Sequence, residues 1–276
     1  MAERALVVPR VPGGRRTGSA PARALRRFAA PAAILALVVV PLAALAVRAF
    51  ADVWRAPALL PQELGLRGFE QIFSEGSGVG PAFAGSLTVA TAATLAALVI
   101  AWPAARALAG ARRARTALLV VLALPLLVPQ YAVGTGLAEW FIRLGLADTF
   151  AGLALAHLVY VLPYVLLALS FGFGSAMDEL EEAASTLGAG PLRKLAHVTL
   201  PAALPSLAVA AALGFVVSWS QYGTSLAVGG GRQTVPIVLV PFAQSDPQIA
   251  AALALVFLGP PLIVLLAAAP AGRRAA

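Results

Sequence analysis

Four acids crowd one short stretch of this sequence, Asp178, Glu179, Glu181 and Glu182, and Arg193, Lys194 and His197 follow closely. Carboxylates beside bases can serve general acid–base chemistry or hold a metal. The rest of the chain gives such chemistry no support. It has two histidines and no cysteine, which excludes a disulfide scaffold, a thiolate metal site and a cysteine nucleophile. His197 has no second His or Cys nearby and reads as a surface residue. Gly229-Gly230-Gly231-Arg232 lacks a preceding strand and a following Lys-Ser/Thr, so it reads as a turn and not a phosphate loop. No catalytic residue and no metal ligand is assigned.

The acidic stretch reads instead as a docking element. Ser175 is placed to cap a helix, with Asp178 three residues later. The acids then fall in the first turns, where the helix macrodipole favours negative charge. Ala183, Ala184 and Leu187 continue the helix, and Gly188 ends it. Gly190 gives a bend, and Pro191 opens a second short helix where its missing N–H costs nothing. That helix is expected to stop near Pro201. The result is a two-armed bracket over 175–201, acidic in its first arm and basic in its second, suited to a groove on a partner.

Composition sets where such a bracket stands. Hydrophobic residues are 60% of the 276 and charged residues 12%, against about 45–50% and about 25% in soluble domains. Mean hydropathy is +0.88. No soluble interior hides that much apolar surface, so lipid is the solvent for much of the chain. A spanning helix needs roughly 20 apolar residues. The stretches 28–47, 82–105, 116–138, 150–173, 202–222 and 249–270 qualify. The run 235–243 is too short and is broken by Pro236 and Pro241, so it reads as interfacial or re-entrant. The apolar core of the first span is longer than that of a signal peptide, so an uncleaved helix is expected.

Basic residues fix the orientation, because cytoplasmic loops hold the excess. Arg4, Arg10, Arg15, Arg16, Arg23, Arg26 and Arg27 precede the first span. Arg106, Arg112, Arg113 and Arg115 follow the second, Arg193 and Lys194 the fourth, and Arg273 and Arg274 the sixth. Only Arg48, Arg55, Arg67, Arg143 and Arg232 fall on the other side. Both termini and the bracket are therefore expected in the cytoplasm. The net charge of +8 reads as topology anchors facing anionic lipid and not as a nucleic-acid surface. The expected organisation is a disordered basic cytoplasmic tail (1–27), a first transmembrane helix (28–47), an extracytoplasmic loop (48–81) with room for a short interfacial helix, a core of five transmembrane helices (82–270), and a cytoplasmic tail (271–276).

Polar groups within the spans are few. His157 is either functional or faces an interfacial loop near the outer end of its span. Gln130 and Tyr131 follow Pro129, and Ser218, Ser220, Gln221 and Tyr222 cluster late in the fifth span. These two clusters are the expected translocation path, and helix–helix hydrogen bonding is the alternative for any one of them.

The bracket carries a resemblance. Glu182-Ala183-Ala184, three residues, Gly188, nine residues, Val198, one residue and Leu200-Pro201 match the signature loop of the permease subunit of binding-protein-dependent ABC importers. The family prefers isoleucine where Val198 stands. The resemblance covers roughly residues 80–270. It implies an all-α inner-membrane protein of six spans, with a coupling helix between the fourth and fifth, in the bacterial cytoplasmic membrane. It implies that Glu182, Ala183, Ala184, Gly188, Leu200 and Pro201 dock a separate ATPase. The implied partners are ABC ATPase subunits, a second permease chain and an extracytoplasmic solute-binding protein. ATP and Mg would sit on the ATPase, with no cofactor bound by this chain. Trp219-Ser-Gln-Tyr-Gly-Thr resembles the polyamine, ferric-iron, thiamine and sulfate or molybdate branch, and the lean within it is to polyamine. A self-contained channel or secondary transporter is the alternative. It needs an ionisable relay in the spans, for which only His157 qualifies.

Overall fold

A computed structural model describes residues 20–273, so most of the expected basic tail lies outside the described residues. Its last part does not match expectation. Helix α1 (Ala20–Ala49) begins well before residue 28, so residues 20–27 are helical and not a disordered tail. The chain divides into two units, one ending at Ala44 and one starting at Leu45. The first contributes the apolar body of α1, which carries Pro31 and Pro41 within the helix.

The second unit holds everything else. Strands β1 (Ala51–Val53) and β2 (Glu63–Leu64) form an antiparallel hairpin, followed by the short helix α2 (Arg67–Phe73). The hairpin was not expected; α2 is a short helix in the loop where the sequence left room for one. Helix α3 (Val79–Ala107) follows, with 29 residues, about 44 Å at the helical rise. Then come α6 (Phe150–Ser170) and α9 (Leu200–Trp219), and these three make the core. Alanines set the packing distance. Ala93, Ala97, Ala101 and Ala105 recur every fourth residue on α3, all buried, against Val161, Val165, Leu166 and Leu169 of α6. Small side chains let helix backbones approach closely where lipid supplies no hydrophobic drive between helices. Gly214 of α9 repeats the device: a Cβ there would lie 2.9 Å from Val165 and 3.2 Å from Thr94.

The expected span 116–138 is not one helix. Helix α4 (Arg112–Ala123) runs through a 3-10 turn to Leu127, and α5 (Gln130–Arg143) leaves at 98°. Pro129 is the cause. The residue before a proline is pushed out of the helical region, and Val128 is extended at φ −105°, ψ 140°. Among the described residues, five helices are long and apolar enough to cross a membrane, six with this broken pair.

Helices α7 (Ser175–Thr186) and α8 (Pro191–Lys194) form the two arms of the bracket. Two details differ from expectation. Gly174 occupies the N-cap and no side chain caps the helix, so Ser175 is its first helical residue. The second arm does not stop near Pro201. It passes through a π turn (Leu195–Thr199) directly into α9. Pro201 sits at the start of α9, where a missing N–H is tolerated. Helices α10 (Gly223–Val228), α11 (Val235–Ser245), α12 (Pro247–Phe257) and α13 (Gly259–Arg273) complete the chain. The run expected to be interfacial or re-entrant is thus the short helix α11.

The hairpin end of this unit is fastened by polar side chains. Arg67 donates to Asp246 at 2.7 Å and to Gln248, and Gln248 donates to Asp52. Asp246 also caps α12, accepting from the backbone N–H groups of Gln248 and Ile249. These bonds tie the expected outer loop onto the start of the last span, over a buried cluster of Ala49, Ile72, Val79 and Leu253.

Candidate functional site

The bracket is rigid for local reasons. Gly188 adopts φ +80°, a left-handed conformation that glycine takes without strain. The turn there is closed by N–H groups of Gly188 and Ala189 donating to the carbonyls of Ser185 and Ala184. Lys194 of α8 reaches back 3.0 Å to the Ser185 hydroxyl, which itself donates to the Glu181 carbonyl.

The acids of α7 divide by face. Asp178, Glu179 and Glu182 are exposed, whereas Glu181 turns inward with Met177 and Ala184. Glu181 Oε1 accepts from Arg106 Nη1 at 2.7 Å and from the Thr199 hydroxyl at 2.6 Å, and Oε2 accepts from Arg106 Nη2 at 2.5 Å. Arg106 is in the last turn of α3, and Thr199 is buried in the π turn that opens α9. Burial pushes the Glu181 carboxyl up, but the Thr199 hydroxyl and the Arg106 guanidinium outweigh it and hold it below the usual carboxylate range. Sequence reasoning chose Glu182 and passed over Glu181. A signal existed: Met177, Glu181 and Ala184 share one helical face, so the lone acid among apolar positions is the inward one.

All but one of the bracket residues singled out from sequence face outward. Glu182, Ala183, Gly188, Leu200 and Pro201 are exposed and Ala184 is half-buried. Leu187, beside them, is 88% exposed.

The two polar clusters expected to line a path meet at Gly223. A Cβ on Gly223 would lie 2.8 Å from the Tyr131 N and 2.9 Å from the Gln130 Cβ. Pro129 thus starts α5 where α9 gives way to α10. Around this corner Tyr131 and Ser220 are exposed, and Gln130 and Tyr222 are half-buried. Ser220 and Tyr222 line a cleft of about 190 Å3 with Leu239 and Phe257. Ser218 and Gln221 point away from it and are buried. His157 takes them up. Its ring nitrogens lie 2.8 Å from the hydroxyls of Ser218 and Ser225, and Gln221 donates to the His157 carbonyl. His157 is 2% exposed and faces no loop. Ser225 donates to the Gln221 carbonyl, so it accepts from His157 Nε2, and in a neutral ring Nδ1 is then the acceptor for the Ser218 hydroxyl. Ser225 and Thr224, which donates to Gln221 Oε1, were missed because they lie past the end of the expected span. Gly230 and Gly231 form a turn, and Arg232 donates to the Asp148 carbonyl.

The match to known proteins falls on these same elements. Residues 93–270 match the family model of the binding-protein-dependent transport system inner membrane component. Over 159 residues the chain is 36% identical to the molybdenum transport system permease protein ModB of Azotobacter vinelandii, covering 52% of this chain and 70% of that one. It is 31% identical over 198 residues to ModB of Mycobacterium tuberculosis, covering 66% and 75%. It is 34% identical over 165 residues to the osmoprotective compounds uptake permease protein GgtD of Synechocystis, covering 59% of this chain and 55% of the relative. The chain belongs to this family of permeases. It is a multi-pass inner-membrane permease of a binding-protein-dependent ABC importer for a small solute. Membership displaces the self-contained channel. The lean to polyamine finds no support in the names of these relatives.

Proposed function

We propose that the bracket is the element by which a separate ATPase drives this permease. The observation that carries this is the outward face of α7: Glu182 and Ala183 exposed, with Leu187 88% exposed, on a helix ended by the Gly188 turn. An exposed carboxylate on α7 and an exposed leucine at its C-cap fit a groove with an apolar floor and a basic rim. Glu182, Ala183 and Ala184 make that contact, Gly188 sets the angle between the arms, and Leu200 and Pro201 return the force to α9. The excess of arginine and lysine at this end supports a cytoplasmic bracket and cytoplasmic termini. ATP and Mg belong to the ATPase, and closure of two ATPase subunits rocks this chain against a second permease chain.

The path in this reading runs by Gln130, Tyr131, Ser220 and Tyr222, with Ser218 and Gln221 holding the corner from behind. These groups are neutral hydroxyls and amides, and no carboxylate accompanies them. That set suits a small oxyanion better than a polyamine, which wants acids along its way. The molybdenum transport relatives lean the same way.

The test is purification of this chain from its native membrane in mild detergent, beside a Glu182→Ala, Gly188→Trp variant. An ATPase and a binding protein should come with the wild type, and the ATPase should be lost from the variant. The recovered binding protein should be stabilised by molybdate or sulfate and not by spermidine. A chain that purifies alone, where known importers stay intact, sinks the reading.

A further inference from the structure

We infer that Glu181 is the residue that transmits motion from the bracket to the membrane helices, a positioning role distinct from docking. The inference rests on the coupling reading above and says which bonds carry the force.

The geometry limits the choices. The bracket is continuous in chain with α9 through the π turn, but it has no chain connection to α3. Met177 brings an apolar contact to that side, within the cluster that holds Ala101 and Ala105. Apolar contact between small side chains resists separation weakly and sliding hardly at all. The directed link is the fork of Arg106, with Nη1 and Nη2 each donating to one of the two oxygens of one carboxylate. Bidentate pairs of this kind fix orientation as well as distance. The Thr199 hydroxyl completes the set, so one side chain on α7 holds the end of α3 and the start of α9 together. Glu181 is 14% exposed at its side chain, so it stays within the bracket and offers the outside almost nothing. Its neighbour Glu182 does the reverse. A push on the outer face of α7 therefore reaches α3 through Glu181.

The π turn is a second observation in the same place. Such turns are rare and recur at functional positions. Here it sets Thr199 beside the Glu181 carboxylate. Pro201 removes the N–H that would serve the His197 carbonyl in a regular helix, which helps the wider turn form.

The experiment uses the full complex in proteoliposomes: this chain, its partner permease, the ATPase and the binding protein. Three quantities are read, namely ATPase retained on purification, ATP hydrolysed, and solute imported per ATP. Glu181→Gln and Arg106→Gln should each keep the ATPase and hydrolyse within about twofold of wild type. Solute imported per ATP should fall at least tenfold. Because the chain has no cysteine, the tie can be rebuilt. An Arg106→Cys, Glu181→Cys pair should import poorly until a short bifunctional thiol reagent joins the two positions, and should then recover at least half of the wild-type ratio. That recovery separates transmission from a folding defect. Import per ATP within twofold of wild type in Glu181→Gln overturns the inference. So does loss of the ATPase from that variant, which would make Glu181 a docking residue. A wild-type chain that retains no ATPase overturns the coupling reading itself, and this inference with it.

Discussion

At the bracket end Arg106 grips Glu181, and at the hairpin end Arg67 grips Asp246, with arginine side-chain exposures of 46% and 48%. Between them His157 holds Ser218 and Ser225 with no formal charge and almost no solvent. The two ends are charged and wet; the middle is neutral and dry. The difference follows from the surroundings. A half-exposed ion pair is screened and contributes about 0–1 kcal/mol. A buried polar group that loses its partner costs about 1–3 kcal/mol. Loss of either ion pair should therefore cost little stability, and loss of the buried middle should cost more.

The contrast predicts an order of effects. His157→Ala should be the most damaging to stability, because it leaves the buried Ser218 hydroxyl without a partner, takes from Ser225 all but its bond to the Gln221 carbonyl, and empties a buried site. The expected loss is about 2–5 kcal/mol, read as a large fall in melting temperature in detergent. A fall no greater than that of Arg67→Ala would break the comparison. Next is Ala97→Leu, which forces a large side chain into the α3–α6 seam at about 1–3 kcal/mol, again read by melting. Gly188→Ala follows. Nothing lies within 4 Å of a Cβ there, so the cost is the positive φ alone, about 1–2 kcal/mol. Its signature should be weaker retention of the ATPase together with a modest fall in melting temperature.

The smallest effect is Arg67→Ala, about 0–1 kcal/mol. Its pH dependence sharpens the point. The hydrogen bond from Arg67 is the chief cause that holds the Asp246 carboxyl below its usual value, against some desolvation. A carboxyl depressed in the folded protein contributes stability above its unfolded value, about 3.9, and loses it as pH falls through the folded value. The melting gap between wild type and Arg67→Ala should be open at pH 7 and close progressively below about pH 3.9. A gap that widened on acidification would contradict the pairing.

Much of this was legible in the sequence, and the misses share a cause. Long apolar runs report spans directly, because lipid demands them, and the signature residues report the bracket because each has a backbone reason to be there. Pro129 lies inside the expected span 116–138, but a mild proline kink and a 98° break differ only in what packs beside them. Here that is Gly223, distant in sequence. Glu181 and Glu182 have the same chemistry, and only the face they occupy tells them apart. The continuity of α8 into α9 was hidden by Pro201, which usually ends a helix and here begins one. His157 could be placed in a span, but its partners lie on two other helices that no local pattern joins.

The alanine ladder of α3 has a consequence for how this machine keeps its place. A seam of methyl groups has no rotamers to freeze and no teeth to engage. One step along it, four residues or about 6 Å of helix, sets one alanine where another had been. On the α3 side the seam is a smooth bearing with no address of its own. Registration of the stroke is left to whatever grips the shaft at its tips.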